Sequence, residues 1–91
     1  MHLEIITPEQ TLYNGEVESV LLPGSFGDFQ LLNNHAPIVS TLKKGKIKII
    51  GKLNIEIELR DKFEYNENDT SINIESGTVE MKNNHVTLLI D

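Results

Sequence analysis

Apolar and polar residues alternate one by one along much of this chain. Leu53-Asn54-Ile55-Glu56-Ile57-Glu58-Leu59-Arg60 keeps the alternation for eight residues, and Lys46-Ile47-Lys48-Ile49 and Ser71-Ile72-Asn73-Ile74-Glu75 repeat it. Successive side chains on a strand point to opposite faces, so each segment predicts a ribbon with one oily and one wet face. On that reading Leu53, Ile55, Ile57 and Leu59 share the core-facing side of one strand. The apolar members are mostly β-branched, which suits a pleated surface. No window sustains the i, i+3, i+4, i+7 spacing of an amphipathic helix.

Turn-forming residues punctuate the alternation: Asn14-Gly15, Pro23-Gly24, Gly27-Asp28, Asn33-Asn34, Lys44-Gly45, Gly51-Lys52, Asn66 to Asp69, Ser76-Gly77 and Asn83-Asn84. Asn14-Gly15 has the composition of a type I′ hairpin, whose central residues both take positive φ. The spacing predicts strands near 2–7, 10–13, 16–22, 28–32, 37–42, 46–50, 53–60, 71–75, 78–82 and 86–90. Strands at this interval predict an all-β fold, a β-sandwich of about ten strands. With 91 residues, the chain fits a single domain over 1–91.

The chain has no cysteine, so disulfides and thiolate metal sites are excluded. A formal charge of −6 disfavours nucleic acid, whose binding rests on neutralising phosphates. The apolar runs fall far short of the ~20 residues a membrane helix needs, and Met1-His2-Leu3-Glu4 lacks the basic start of a signal peptide. Work at a membrane would require another component to hold the chain there. The one basic cluster is Lys43, Lys44, Lys46 and Lys48. It reads as a solvated turn and strand edge, where lysine blocks edge-to-edge pairing, or else as a partner-facing patch.

Candidate chemistry is sparse. His2, His35 and His85 lie far apart in sequence, which argues against a metal centre, since zinc needs three or four converging ligands. Ser25, Asp28 and His35 are close enough to suggest a hydrolytic relay, but no strand–turn–helix elbow frames the serine. Pro23-Gly24-Ser25-Phe26-Gly27-Asp28 lacks the lysine ending of a phosphate loop and precedes a strand. No cofactor is therefore expected. Phe26, Phe29 and Phe63 are expected as core or interface anchors. The stretch from Gly24 to Ser40, dense in glycine, asparagine and aromatic residues, is a natural place for binding residues on a rigid scaffold.

The run Leu22-Pro23-Gly24-Ser25-Phe26-Gly27-Asp28-Phe29-Gln30-Leu31-Leu32-Asn33-Asn34-His35-Ala36-Pro37 resembles the epsilon subunit of rotary F-type ATP synthases. Around it, Ile5-Ile6-Thr7-Pro8-Glu9, Leu12 to Val17, Leu42-Lys43-Lys44-Gly45, Ser76 to Met81 and Asn84 to Leu89 resemble further family segments in the same order. The resemblance covers nearly the whole chain. It implies a ten-stranded sandwich in the rotor's central stalk, bound to the gamma subunit and the ring of c subunits and, through the complex, to other F1 subunits. It implies a non-catalytic role in coupling proton flow to ATP synthesis on other chains. It implies a peripheral place on the cytoplasmic side of a bacterial plasma membrane, without insertion. By the same resemblance Asp28, with Phe26 and Phe29, is expected at the c-ring, and Thr7, His35 and Ser40 at gamma.

The sequence also departs from the family pattern. The family usually continues into two C-terminal helices that inhibit hydrolysis, whereas this chain ends at Asp91, as a short form or as part of a longer chain. Ser76-Gly77-Thr78 stands where Gly-Gly-Phe is common, and residues 51–70 look longer than the usual hairpin. The alternative reading is a stand-alone sandwich module binding a protein or carbohydrate, since such folds host many functions.

Overall fold

A computed structural model describes residues 1–91. The strands are β1 (His2–Ile6), β2 (Thr11–Glu16), β3 (Ser19–Gly24), β4 (Gly27–Leu32), β5 (Ile38–Leu42), β6 (Gly45–Ile50), β7 (Glu64–Tyr65), β8 (Thr70–Ile74), β9 (Gly77–Lys82) and β10 (His85–Ile90). They form one ten-stranded sheet that curls on itself into a sandwich. One half has the order β2-β1-β10-β9-β5; the other runs β3-β6-β8-β7, with β4 on the remaining side of β3. The halves join where Gly24 of β3 pairs with Leu42 of β5. Every pairing is antiparallel except that of β1 with β10, which sets His2 beside His85.

The period-two segments explain the core. Leu3 and Ile5, Val79 and Met81, and Val86 and Leu88 face inward from one half. Val20, Leu22, Leu31, Ile47, Ile49, Ile72 and Ile74 meet them from the other. Full burial of each such side chain is worth about 1.5–3 kcal/mol before the entropy of ordering it. No buried side-chain nitrogen or oxygen lacks a hydrogen-bond partner. The core therefore carries no orphaned polar group of the kind that would weaken it.

Three expectations from the pattern fail. Asn14-Gly15 makes no turn; both residues lie within β2, paired with Glu4 and Leu3. A Cβ at residue 15 would come within 2.6 Å of the Tyr13 hydroxyl, so glycine there serves packing. The type I′ geometry occurs instead at Asn83-Asn84, where φ values of 52° and 60° join β9 to β10.

The longest alternating run, residues 53–60, forms no strand. It begins as extended coil and closes into a 3-10 turn, Ile57–Lys62, so the tenth strand is the two-residue β7. Ile55, Leu59 and Phe63 are buried, Leu53 is partly buried, and Ile57 is 75% exposed. The Leu59 N–H donates to Glu56 O, and Arg60 Nε–H donates to Ile55 O, which replaces ladder bonds with local ones. The segment passes beside β2, and a hollow of about 250 Å³ there is lined by Leu12, Tyr13, Asn54, Glu56 and Leu59. It thus covers the open side of the sandwich with a few apolar plugs. The lysine cluster is also relocated: β6, which carries Lys46 and Lys48, is flanked by β3 and β8 and is no edge strand.

Candidate interaction surfaces

The β3–β4 hairpin carries most of the residues singled out by the sequence. Pro23 pairs with Asp28 and Gly24 with Gly27, leaving Ser25 and Phe26 as the tip. A Cβ on Gly24 would lie 2.5 Å from Gly27 O, and Gly27 takes φ +130°, so both positions need glycine. The tip is braced against β5. Ser25 N–H donates to Thr41 O at 3.0 Å, Thr41 Oγ1 donates to Ser25 Oγ at 2.8 Å, and Lys43 N–H donates to Pro23 O at 2.9 Å. Phe29 packs on the core. Phe26 is fully exposed at 101%, an apolar ring held in water at the end of a rigid hairpin.

Asp28, two residues further on, is exposed as well. It lines a shallow hollow of about 290 Å³ with Leu21, Pro23 and Lys43, Lys46 and Lys48. The lysine cluster noted in the sequence thus lies around Asp28. Lys46 Nζ donates to Glu64 Oε2 at 2.7 Å, and Asn73 Nδ2 donates to Glu64 Oε1 at the same distance. These two hydrogen bonds, with the nearby lysine charge, hold the Glu64 carboxyl below its usual range.

The other expected contact residues are dispersed. Ser40 pairs with Val79 across β5 and β9, and its hydroxyl donates to Thr41 O at 3.2 Å. Thr7 locks the β1–β2 turn: its Oγ1 donates to Gln10 O and accepts from Gln10 N–H. His35 follows β4 in a loop, at the opposite end of that strand from Asp28. Its Nδ1 lies 2.7 Å from Ala36 O. The suggested Ser25–His35–Asp28 relay does not assemble, because Ser25 bonds with Thr41 while His35 bonds beside its own backbone.

Sequence reasoning missed two features. On the outer face of the first half, Val39 is 75% and Leu89 51% exposed, among Thr41, Thr78, Thr87 and the Glu80 that pairs with Val39. Their alternation resembled that of core residues, and only the register shows which face is covered. The second feature joins residues from the two ends of the sequence. His2 and His85 stand with ring centroids 4.8 Å apart. His85 Nε2 lies 2.9 Å from Glu4 Oε1, and His2 Nδ1 lies 2.9 Å from Glu16 Oε2, with Asn14 Oδ1 against His2 Nε2. The Glu16 contact first, and Asn14 next, raise the His2 pKa above its ordinary value. Burial, and then the Glu16 charge, raise that of Tyr13.

The architecture is a β-sandwich with a braced, aromatic-tipped hairpin. The chain belongs to the family described as "ATP synthase, Delta/Epsilon chain, beta-sandwich domain", whose model matches residues 1–91. It is 38% identical over 91 residues to the ATP synthase epsilon chain of Leptospira borgpetersenii serovar Hardjo-bovis, covering all of this chain and 61% of that one. It is 37% identical over 89 residues to the ATP synthase epsilon chain of Chlorobium limicola, covering 98% of this chain and 86% of that one. In fold it is similar to a chain from the cryo-EM structure of the Tetrahymena thermophila mitochondrial ATP synthase, central stalk and c-ring. That match has a TM-score of 0.68 at 15% identity and covers 99% of this chain and 62% of the other. The chain thus spans about three fifths of the length of its Leptospira relatives.

Proposed function

We propose that this domain is a non-catalytic rotor subunit of a proton-translocating F-type ATP synthase, docking the central stalk onto the c-ring. Family membership over residues 1–91 supports the assignment to the complex. The observation that carries the docking role is the β3–β4 tip, which presents exposed Phe26 and Asp28 on a hairpin pinned to β5. A rotor joint transmits torque only if it does not yield. A hairpin whose base is bonded into the sandwich meets that need, and an exposed aromatic ring is the usual chemistry of an interface anchor, with a charge suited to the polar rim.

In this reading Phe26 and Asp28 meet the polar loops of the c-ring, with Phe29 fixing the hairpin from beneath. The gamma subunit lies along the outer face of the first half. There Val39 and Leu89 supply apolar contact and Thr7 and His35 mark the extent of the surface, while Ser40, on the inward side of β5, supports it from beneath. A lasting joint of this kind buries more than about 1,200 Å² in total. The domain would sit peripherally on the cytoplasmic side of a bacterial plasma membrane, and no helix is long and apolar enough to cross it. Catalysis would remain on other chains, so the domain's contribution is mechanical.

The test is Asp28→Lys in a reconstituted ATP synthase. The variant is expected to melt like the native domain, because Asp28 is exposed, and to reduce protons pumped per ATP hydrolysed. Unchanged pumping efficiency would remove Asp28 from the c-ring contact.

A further inference from the structure

We propose that His2, Glu4 and His85 form a surface site for a borderline divalent metal ion of the zinc class, with Glu16 as the group that orients His2. The parallel register of β1 and β10 places His2 beside His85, and Glu4 lies on the same outer face two residues along β1. The three potential ligand atoms all lie within 4.8 Å of one another, and the side chains are only partly buried. Tetrahedral zinc with bonds of about 2.0–2.1 Å needs ligand atoms about 3.3 Å apart. His85 Nε2 and Glu4 Oε1, at 2.9 Å, already stand almost at that separation. The His2 nitrogen, within 4.8 Å of both, would close the two remaining edges by rotation of its surface ring.

The donor set is two imidazoles and one carboxylate, which with a water in the fourth position is a recurrent zinc arrangement. Glu16 supplies the outer contact such sites use. Its Oε2 lies 2.9 Å from His2 Nδ1, which leaves Nε2 as the ligand atom. Binding displaces Asn14 Oδ1 from that nitrogen. Lys82 sits across from His85 on β9 and the Met1 ammonium lies 3.8 Å from Glu16 Oε1, so the carboxylates of Glu4 and Glu16 balance the positive charge around the site. The ion would staple β1 to β10, strands from opposite ends of the chain. This inference is independent of the rotor reading.

The experiment is calorimetric titration of zinc chloride into the domain at pH 7.5, with melting curves and histidine-ring NMR. One zinc per chain is expected, and the melting temperature should rise by roughly 7 °C with zinc at ten times its Kd. His85→Ala and Glu4→Gln should abolish the site while melting like the native domain in chelator. Glu16→Ala should keep one zinc but weaken it by about tenfold or more. The His2 and His85 ring signals should both shift with zinc. Absence of zinc binding, or binding of equal strength in His85→Ala, overturns the site.

Discussion

Two stretches of this chain carry the same period-two pattern and meet different fates. Residues 45–50 become β6, with β3 on one side and β8 on the other. Residues 53–60 alternate for longer but become coil and a 3-10 turn beside β2. Both bury apolar side chains, Ile47 and Ile49 in the first and Ile55 and Leu59 in the second. What separates them is the backbone. In β6 the peptide groups are satisfied by two neighbouring strands, whereas from Leu53 onward the bonds are local, such as Leu59 N–H to Glu56 O. Alternation states which side chains seek the core; it does not guarantee that a strand edge will be there to receive the backbone.

The largest effect that separates the two regions comes from placing a charge at one position of each. Ile49→Asp puts a carboxylate where exposure is 0%, and should cost more than about 4 kcal/mol, enough to unfold a domain of this size. Ile57→Asp, at a 75% exposed position, should stay within about 0.5 kcal/mol of the native domain in urea unfolding. An equally severe Ile57→Asp variant would mean that residues 53–60 do form an inward-facing strand.

Leu59→Ala should have an intermediate effect. It empties one of the plugs over the open side, at a cost of about 2–4 kcal/mol in the same urea measurement. A neutral result would show that the segment does not seal the core. Hydrogen exchange sharpens the contrast without mutation: amides of β6 should exchange only through near-global opening, and those of residues 53–56 much faster.

The smallest expected effect is at Glu64, which is bonded to Lys46 of β6. Its folded pKa lies below the ordinary 4.5, so its contribution is present above 4.5 and lost as pH falls through the folded value. NMR titration should place the Glu64 midpoint below 4.5 and return it toward that value in Lys46→Ala. A midpoint indifferent to Lys46 would show that the ion pair is only transient.

The fold class and most strands were legible because their cause is local. Ile47 and Ile49, Ile72 and Ile74, and Val86 and Leu88 all alternate and are all buried as the pattern requires. The glycines around Phe26 likewise signalled a tight, special hairpin, though its turn lies at Ser25-Phe26 and not at Pro23-Gly24. Asn14-Gly15 misled because pairing with Glu4 and Leu3 of β1, invisible in the turn chemistry, holds both residues in a strand, where the Tyr13 ring two residues back lies over Gly15. The His2–His85 pair was hidden for a stronger reason. It depends on the parallel pairing of the first and last strands, which no local spacing encodes. The lysines around Asp28 were apparent as a cluster, but their proximity to that carboxylate follows from the packing of β6 against β3.

The central claim is that this sandwich docks into a rotor through the β3–β4 tip. The most direct measurement is co-purification of the native and Phe26→Ala domains with the gamma subunit and c-ring of the same synthase. The native domain should be retained with both in stoichiometric amount. Phe26→Ala, folded and melting as before, should lose most of the c-ring while keeping gamma. A native domain that captures neither partner, or a Phe26→Ala domain that captures both undiminished, would contradict the account.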